Sequence, residues 1–140
     1  MTALELGFAA GIPKNYISSD RQRLDVYRRI AQSRSPGDLD AMVDELADMF
    51  GPPPRTVLLL LEVSKIRLLA DGLGISSIVA HNSDLIFSFK EDTTSSDLFA
   101  GCPGRVSILD ARTVYVRLEK KYFEPDTLLA VLRKLLKISR

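Results

Sequence analysis

The spacing of apolar positions changes twice along the chain. Leu4, Leu6 and Phe8 alternate with polar or small residues, which is typical of a half-buried strand. From about residue 18 to residue 74 the apolar positions recur at helical spacing, and from Ile75 onward the period returns to two. The pattern therefore predicts a strand, a helical segment and then a sheet.

The first helix is expected to begin at residues 18–20, which are all good N-cap types, and to end near Ser33. Its arginines lie mainly off the predicted apolar face. The residues predicted to be buried on that face are Leu24, Tyr27, Ile30 and Ala31.

A second helix is predicted with Ser35 as its cap, Pro36 in its first turn and Gly51 as its stop. The short link to the first helix favours an αα-hairpin. A third helix, "RTVLLLLEVSKIRLLADGLG", is apolar on more than one side and is expected to be buried. The second helix carries one apolar stripe, assigned to the core: Leu39, Met42, Val43, Leu46, Met49 and Phe50.

The second half of the chain predicts two β-hairpins and a last helix. Ile78 and Val79 lead into a turn over residues 81–84, and alternating apolar residues follow from Leu85 to Phe89. The second hairpin joins Val106–Leu109 to Val114–Leu118 through "DART". The last helix, from Asp126 to about Ile138, places five residues on one face: Leu128, Leu129, Leu132, Leu135 and Leu136.

The predicted fold class is α+β, with an N-terminal strand, a three-helix segment, two β-hairpins forming a largely antiparallel sheet and a C-terminal helix. Residues 1–140 are expected to form a single domain, because no linker is long enough to divide them.

Composition narrows the function classes. The net charge of +1 gives no global field that would attract nucleic acid or an anionic membrane. The longest apolar run, Val57–Leu61, is far too short to span a membrane. A single cysteine fits a reducing compartment, so we expect a cytoplasmic protein.

No catalytic, cofactor or metal site is predicted. One histidine and one cysteine cannot supply a typical metal-ligand set. His81 is expected in a solvated turn and Cys102 in the turn "GCPG", with a catalytic or reactive role as the lesser alternative for each. The "GLG" at 72–74 ends a helix, whereas a phosphate-binding loop precedes one.

The first two helices carry opposite charge. Residues 18–33 hold four arginines against two aspartates, and residues 36–50 hold five acids and no base. Arg28 and Arg29 are therefore expected to pair with Asp44, Glu45 or Asp48, at well under about 1 kcal/mol for each exposed pair. The acids left over form a strip suited either to solvent or to a basic partner surface.

A DNA-contacting surface is the alternative. It would use the arginines of the first helix and the cations of the last helix. Aspartates interrupt the arginines of the first helix, and the helix dipole alone accounts for cations near the C-terminus of the last helix. The candidate DNA contacts are Arg21, Arg28, Arg29, Arg133, Lys134 and Lys137.

Three stretches carry a family resemblance: "IPKNYISSDRQRLDVYRRIA", "LDAMVDELADMFGPPP" and "KIRLLADGLGI". They resemble the C-terminal domain of bacterial transcription-repair coupling factors, over nearly the whole chain. The resemblance implies a domain without catalysis of its own, carried by an ATP-driven DNA translocase that displaces stalled RNA polymerase and recruits excision-repair proteins. In that family the domain folds back on the N-terminal module that recruits UvrA and holds the factor repressed.

The resemblance also points to particular residues. Family members make the intramolecular contact partly with charged residues just before the Phe-Gly stop of the second helix. Carried over by position, these are Glu45 and Asp48, with Asp44 beside them on the same strip. Some relatives have a basic residue immediately before the Phe, where this chain has Met49.

Overall fold

The structure is a computed structural model that describes residues 2–91 and 96–138. Its helices are α1 (Asp20–Gln32), α2 (Pro36–Phe50), α3 (Arg55–Gly72) and α4 (Pro125–Ile138). Its strands are β1 (Ala3–Glu5), β2 (Ile75–His81), β3 (Asp84–Phe89), β4 (Arg105–Asp110) and β5 (Thr113–Arg117). The mixed architecture predicted from the sequence is confirmed.

Contacts divide the chain into two compact units. The helical unit comprises residues 9–68, and the sheet unit comprises the described residues of 1–8 and 69–140. Helix α3 contributes residues to both units. That residues 1–140 behave as one domain stays a prediction.

Local signals set the ends of α1 and α2 as predicted. The Ser19 hydroxyl accepts from the Gln22 N–H at 3.2 Å, and the Ser35 hydroxyl accepts from the Asp38 N–H at the same distance. Gly51 ends α2 with φ of 87°, a left-handed value that favours glycine. The core of the helical unit is built from Ile12, Ile17, Val26, Ile30, Leu39, Met42, Leu46, Val57 and Leu61.

The predicted buried face of α1 is largely wrong. Ile30 is buried, but Leu24, Tyr27 and Ala31 are exposed, and Val26 is buried instead. The buried face is rotated about a quarter turn from the predicted one, at 100° per residue. The Arg23 side chain takes part of the inner face because its guanidinium donates to the Ile17 carbonyl oxygen at 2.9 Å.

The assignment of Met49 to the core is also wrong. Met49 is 63% exposed, whereas Leu39, Met42 and Leu46 are buried and the other stripe residues partly buried. Met49 lies at one edge of a wide stripe, and Phe50 takes the inward position in the last turn. Helical spacing alone does not show where such a stripe ends.

The sheet unit holds one five-stranded sheet in the order β1-β2-β3-β5-β4. β1 pairs with β2 in parallel and the other pairs are antiparallel, so the sheet is largely antiparallel as predicted. Asn82 turns the first hairpin with φ of 56°. All five leucines predicted on the apolar face of α4 are buried.

Alternation along the strands separates two faces of the sheet. One face is buried and carries Ile78, Leu85, Phe87, Val114 and Val116. Across the other face run Val79, Ile86, Tyr115 and Ser107, which lie opposite one another on adjacent strands. Strand β4 forms one edge, and most of its residues are exposed.

Candidate interaction surface

Helix α2 presents three carboxylates to solvent on one side. Glu45 and Asp48 follow Asp44 by one and four positions, so the three residues share a face that points away from the buried residues of the helix. We call these three residues the acidic strip. The opposite face of α2 packs into the core through Leu39, Met42 and Leu46, which are at most 3% exposed, and this packing sets the orientation of the strip.

The C-terminal end of α2 is held by Tyr16. Its hydroxyl lies 2.8 Å from the Gly51 carbonyl oxygen and 3.1 Å from that of Leu46. The Tyr16 ring packs edge-on against Phe50 with 5.9 Å between centroids, and burial raises the pKa of the Tyr16 hydroxyl. These contacts give the last helical turn, which carries Asp48, a defined position.

Glu45 is already paired inside the helical unit. The Arg29 guanidinium on α1 donates to the Glu45 carboxylate, and each side chain is 49% exposed. The predicted pairing between the two helices is confirmed for Arg29. It is wrong for Arg28, which instead faces Asp25 on its own helix at 3.8 Å because the two stand one helical turn apart.

Two further acids of α2 are also occupied. The Asp38 carboxylate accepts from the Arg34 backbone N–H at 3.1 Å, and Asp40 pairs with Lys65 of α3. Burial by itself would lower the pKa of Lys65, but the hydrogen bonds and charges of Asp40 and Glu62 together outweigh it and raise that pKa. The Lys65 ammonium is therefore held charged between two carboxylates.

Within residues 2–91 and 96–138, Asp44 and Asp48 make no ion pair and no side-chain hydrogen bond. They are therefore the acids of α2 that remain available to a cation from outside. Met49 lies beside them and is largely exposed, which the sequence did not indicate. A flexible apolar side chain next to two carboxylates suits the contact of a partner surface.

The candidate DNA contacts fall on separate units. Arg21, Arg28 and Arg29 belong to α1 in the helical unit, whereas Arg133, Lys134 and Lys137 belong to α4 in the sheet unit. Arg28 and Arg29 each face a local carboxylate, which reduces their free charge. A DNA surface built from this set stays a prediction.

The surroundings of His81 and Cys102 do not favour a catalytic or reactive role for either residue. His81 is exposed at the end of β2, and the Cys102 thiol donates to the Pro103 carbonyl oxygen at 3.4 Å. Burial raises the pKa of the Cys102 thiol, which disfavours the reactive thiolate. In the part of the chain that the structure describes, no three His, Cys, Asp or Glu side chains are grouped to hold a metal ion.

Among the described helices, none has both the length and the apolar character needed to cross a membrane.

Comparison with known proteins gives concordant matches. The family model of the TRCF domain matches residues 6–98. Transcription-repair-coupling factor of Mycobacterium tuberculosis is 42% identical over 77 residues, 55% of this chain and 6% of that protein. The Rickettsia bellii protein of that name is 28% identical over 132 residues, 94% of this chain and 11% of its own length.

The fold also matches a solved structure. A crystal structure of the C-terminal domain of transcription-repair coupling factor superposes with a TM-score of 0.81 and 21% sequence identity. The match covers 98% of this chain and 92% of that chain. The chain spans only about a tenth or less of the length of the curated relatives it matches.

Proposed function

We propose that this chain, which belongs to the TRCF domain family of transcription-repair coupling factors, is a non-catalytic regulatory domain of such a factor. The acidic strip docks on a basic surface of the N-terminal module that recruits UvrA within the same parent polypeptide. This contact holds the cytoplasmic parent, a DNA translocase, repressed until RNA polymerase or UvrA engages.

The observation that carries the proposal is a pair of carboxylates on α2 that have no partner among the residues the structure describes. Asp44 and Asp48 lie opposite the buried face of α2, while the remaining acids of the helix are paired or hydrogen-bonded within the helical unit. A fixed and uncompensated acidic surface gives specificity for a basic partner and a salt-dependent association rate. Exposed Met49 beside it supplies apolar contact area.

A contact of this kind suits a switch. Exposed charge pairs are individually weak, so a few of them hold a module closed without making the closure permanent. A regulatory coupling of about 1–3 kcal/mol is the usual size, and a partner that binds only the open state can overcome it. The strip therefore acts as a reversible latch.

The test is capture of UvrA by the full parent protein. The variant Asp44→Lys/Asp48→Lys is preferable to any change at Glu45, because a cation at position 45 would stand against Arg29 and disturb the hairpin. The matched control is Asp25→Lys/Glu119→Lys, which changes the net charge equally at two exposed acids outside α2. Their own ion pairs, with Arg28 at 3.8 Å and with Lys121 at 3.9 Å, are long, exposed and local in sequence, so losing them does not disturb the contact between α1 and α2. We expect the strip variant to bind UvrA several-fold more tightly and the control to bind like wild type.

Unchanged UvrA capture by the strip variant, with a native melting curve, would contradict the latch. Tight binding of the isolated chain to duplex DNA, falling steeply with salt, would instead favour the DNA-contacting alternative.

A further inference from the structure

Strand β4 leaves one edge of the sheet open. It pairs with β5 on one side, and no described strand pairs with its other side. An edge strand presents backbone N–H and C=O groups that can pair with another chain. The central residues of β4 carry no charge and no proline, and two of its apolar side chains, Ile108 and Leu109, are 50% and 60% exposed.

A bulge near the end of β4 sets which of its side chains share a face. Ile108 lies opposite Val114, but Asp110 lies opposite Thr113, so Leu109 is the additional residue. Thr113 is on the same face of β5 as Tyr115, the partner of Ser107. The bulge therefore returns Asp110 to the face that carries Ser107 and Arg105, although the spacing in sequence alone would separate them.

With this geometry β4 is complementary to a second copy of itself. Two antiparallel copies related by a two-fold axis at Ser107 place Val106 of each opposite Ile108 of the other. Counting from Ser107 alone would place Leu109 opposite Arg105. Because Leu109 is the bulged residue, Asp110 takes that position instead, so Arg105 of each copy lies opposite Asp110 of the other. Moving the axis by one residue, to Ile108, would place Arg105 opposite Arg112, which is unfavourable. Charge therefore selects the register centred on Ser107.

Arg105 is free to make this contact. It forms no ion pair with any residue in the described ranges and is exposed. The Asp110 carboxylate accepts the Arg112 backbone N–H at 2.8 Å, which fixes its position at the end of the strand. This hydrogen bond, together with Thr113 and the Arg112 charge, lowers the pKa of Asp110 and keeps the carboxylate charged at the sheet edge.

We propose that β4 is a self-association edge through which two copies of this chain form a continuous antiparallel sheet centred on Ser107. One six-residue strand buries less than a standard interface, so the dimer is weak. Association therefore depends on a high local concentration of the chain.

Sedimentation equilibrium of the chain from about 10 µM to 1 mM tests the dimer, with Ile108→Lys as the disruptive variant. Leu24→Lys is the matched control, because Leu24 is equally exposed but lies on α1. We expect a monomer–dimer equilibrium for wild type and the control, and at least a tenfold weaker association for Ile108→Lys. Melting curves check that both variants are folded.

The register is tested by exchanging the charges. Arg105→Glu alone is expected to weaken the dimer several-fold, and Arg105→Glu/Asp110→Lys is expected to restore it. Asp110→Asn, which keeps an oxygen acceptor for Arg112, separates loss of charge from damage to the turn.

Three results would overturn the proposal. The first is a monomer at every concentration. The second is association that survives both Ile108→Lys and Arg105→Glu. The third is protection of the β4 amides from hydrogen exchange only when another protein is added, which would indicate a heterologous strand at this edge.

Discussion

Arg29 competes with any partner for Glu45, and this has a measurable consequence. The guanidinium of Arg29 and the carboxylate of Glu45 form an exposed ion pair between α1 and α2. Replacing Arg29 with Gln removes the charge and keeps a side chain of similar length. The change should therefore release Glu45 for contact outside the helical unit.

The magnitude follows from the exposure of the pair. Both side chains are 49% exposed, so solvent and salt screen the interaction, and about 0.5 kcal/mol is its expected contribution. Arg29→Gln should lower the free energy of unfolding by about that amount. Docking that requires a free Glu45 should become tighter by the same amount, which is about twofold in the dissociation constant.

The assay is calorimetric titration of the isolated UvrA-recruiting module with wild type and Arg29→Gln, beside urea denaturation of each chain. Arg28→Gln is the matched control, because it removes the same charge from the same helix but its partner is Asp25. Weaker binding by Arg29→Gln would refute the competition and make Arg29 part of the contact. An equal gain in affinity with Arg28→Gln would show that the effect comes from net charge and not from the release of Glu45.

Three other changes test the supports of the fold. Tyr16→Phe removes the hydroxyl held by the Gly51 carbonyl and should cost about 1 kcal/mol in urea denaturation; an unchanged midpoint would contradict that role. Arg117 holds the pKa of Asp84 below its usual range through hydrogen bonds. The ion pair therefore stabilises the fold fully above the usual carboxyl pKa, and this stabilisation is lost as the pH falls through the lower pKa that Asp84 has in the folded chain. Asp84→Asn should therefore lower the Tm at pH 7 and have little effect near pH 2; equal losses at both would exclude the ion pair as the cause. Gly104→Ala would place a Cβ against the Arg117 carbonyl oxygen at a residue with φ of +101°, and should lower the free energy of unfolding by about 2–4 kcal/mol; a native Tm would show that the turn relaxes.

Local signals predicted the elements well. Ser19, Ser35 and Gly51 set helix ends through their own side-chain or backbone chemistry, so they could be identified without tertiary contacts. The leucines of α4 were also assigned correctly, because that helix has a single dense apolar face. Both hairpins formed as predicted.

Long-range packing accounts for what the sequence did not predict. Which edge of a wide apolar stripe is buried depends on neighbouring elements, which is why Tyr27 and Met49 were misassigned. The pairing of Asp40 with Lys65 joins residues far apart in sequence and had no local signal. The placement of β5 rather than β4 beside β3 is likewise a tertiary choice.

The position of the acidic strip could be predicted, but its free charge could not. Composition placed five acids on α2, and helical geometry placed three of them on one exposed side. Only the three-dimensional contacts distinguish Glu45, which is paired, from Asp44 and Asp48, which have no partner within residues 2–91 and 96–138.

The measurement that tests the latch most directly is a titration of the isolated UvrA-recruiting module with this chain, with charges exchanged across the contact. Wild type should bind with a salt-dependent affinity, Asp44→Lys/Asp48→Lys should lose at least tenfold, and acidic substitutions of the module's basic residues should restore binding to that variant. Binding of the strip variant as tight as that of wild type, with both chains folded, would contradict the account.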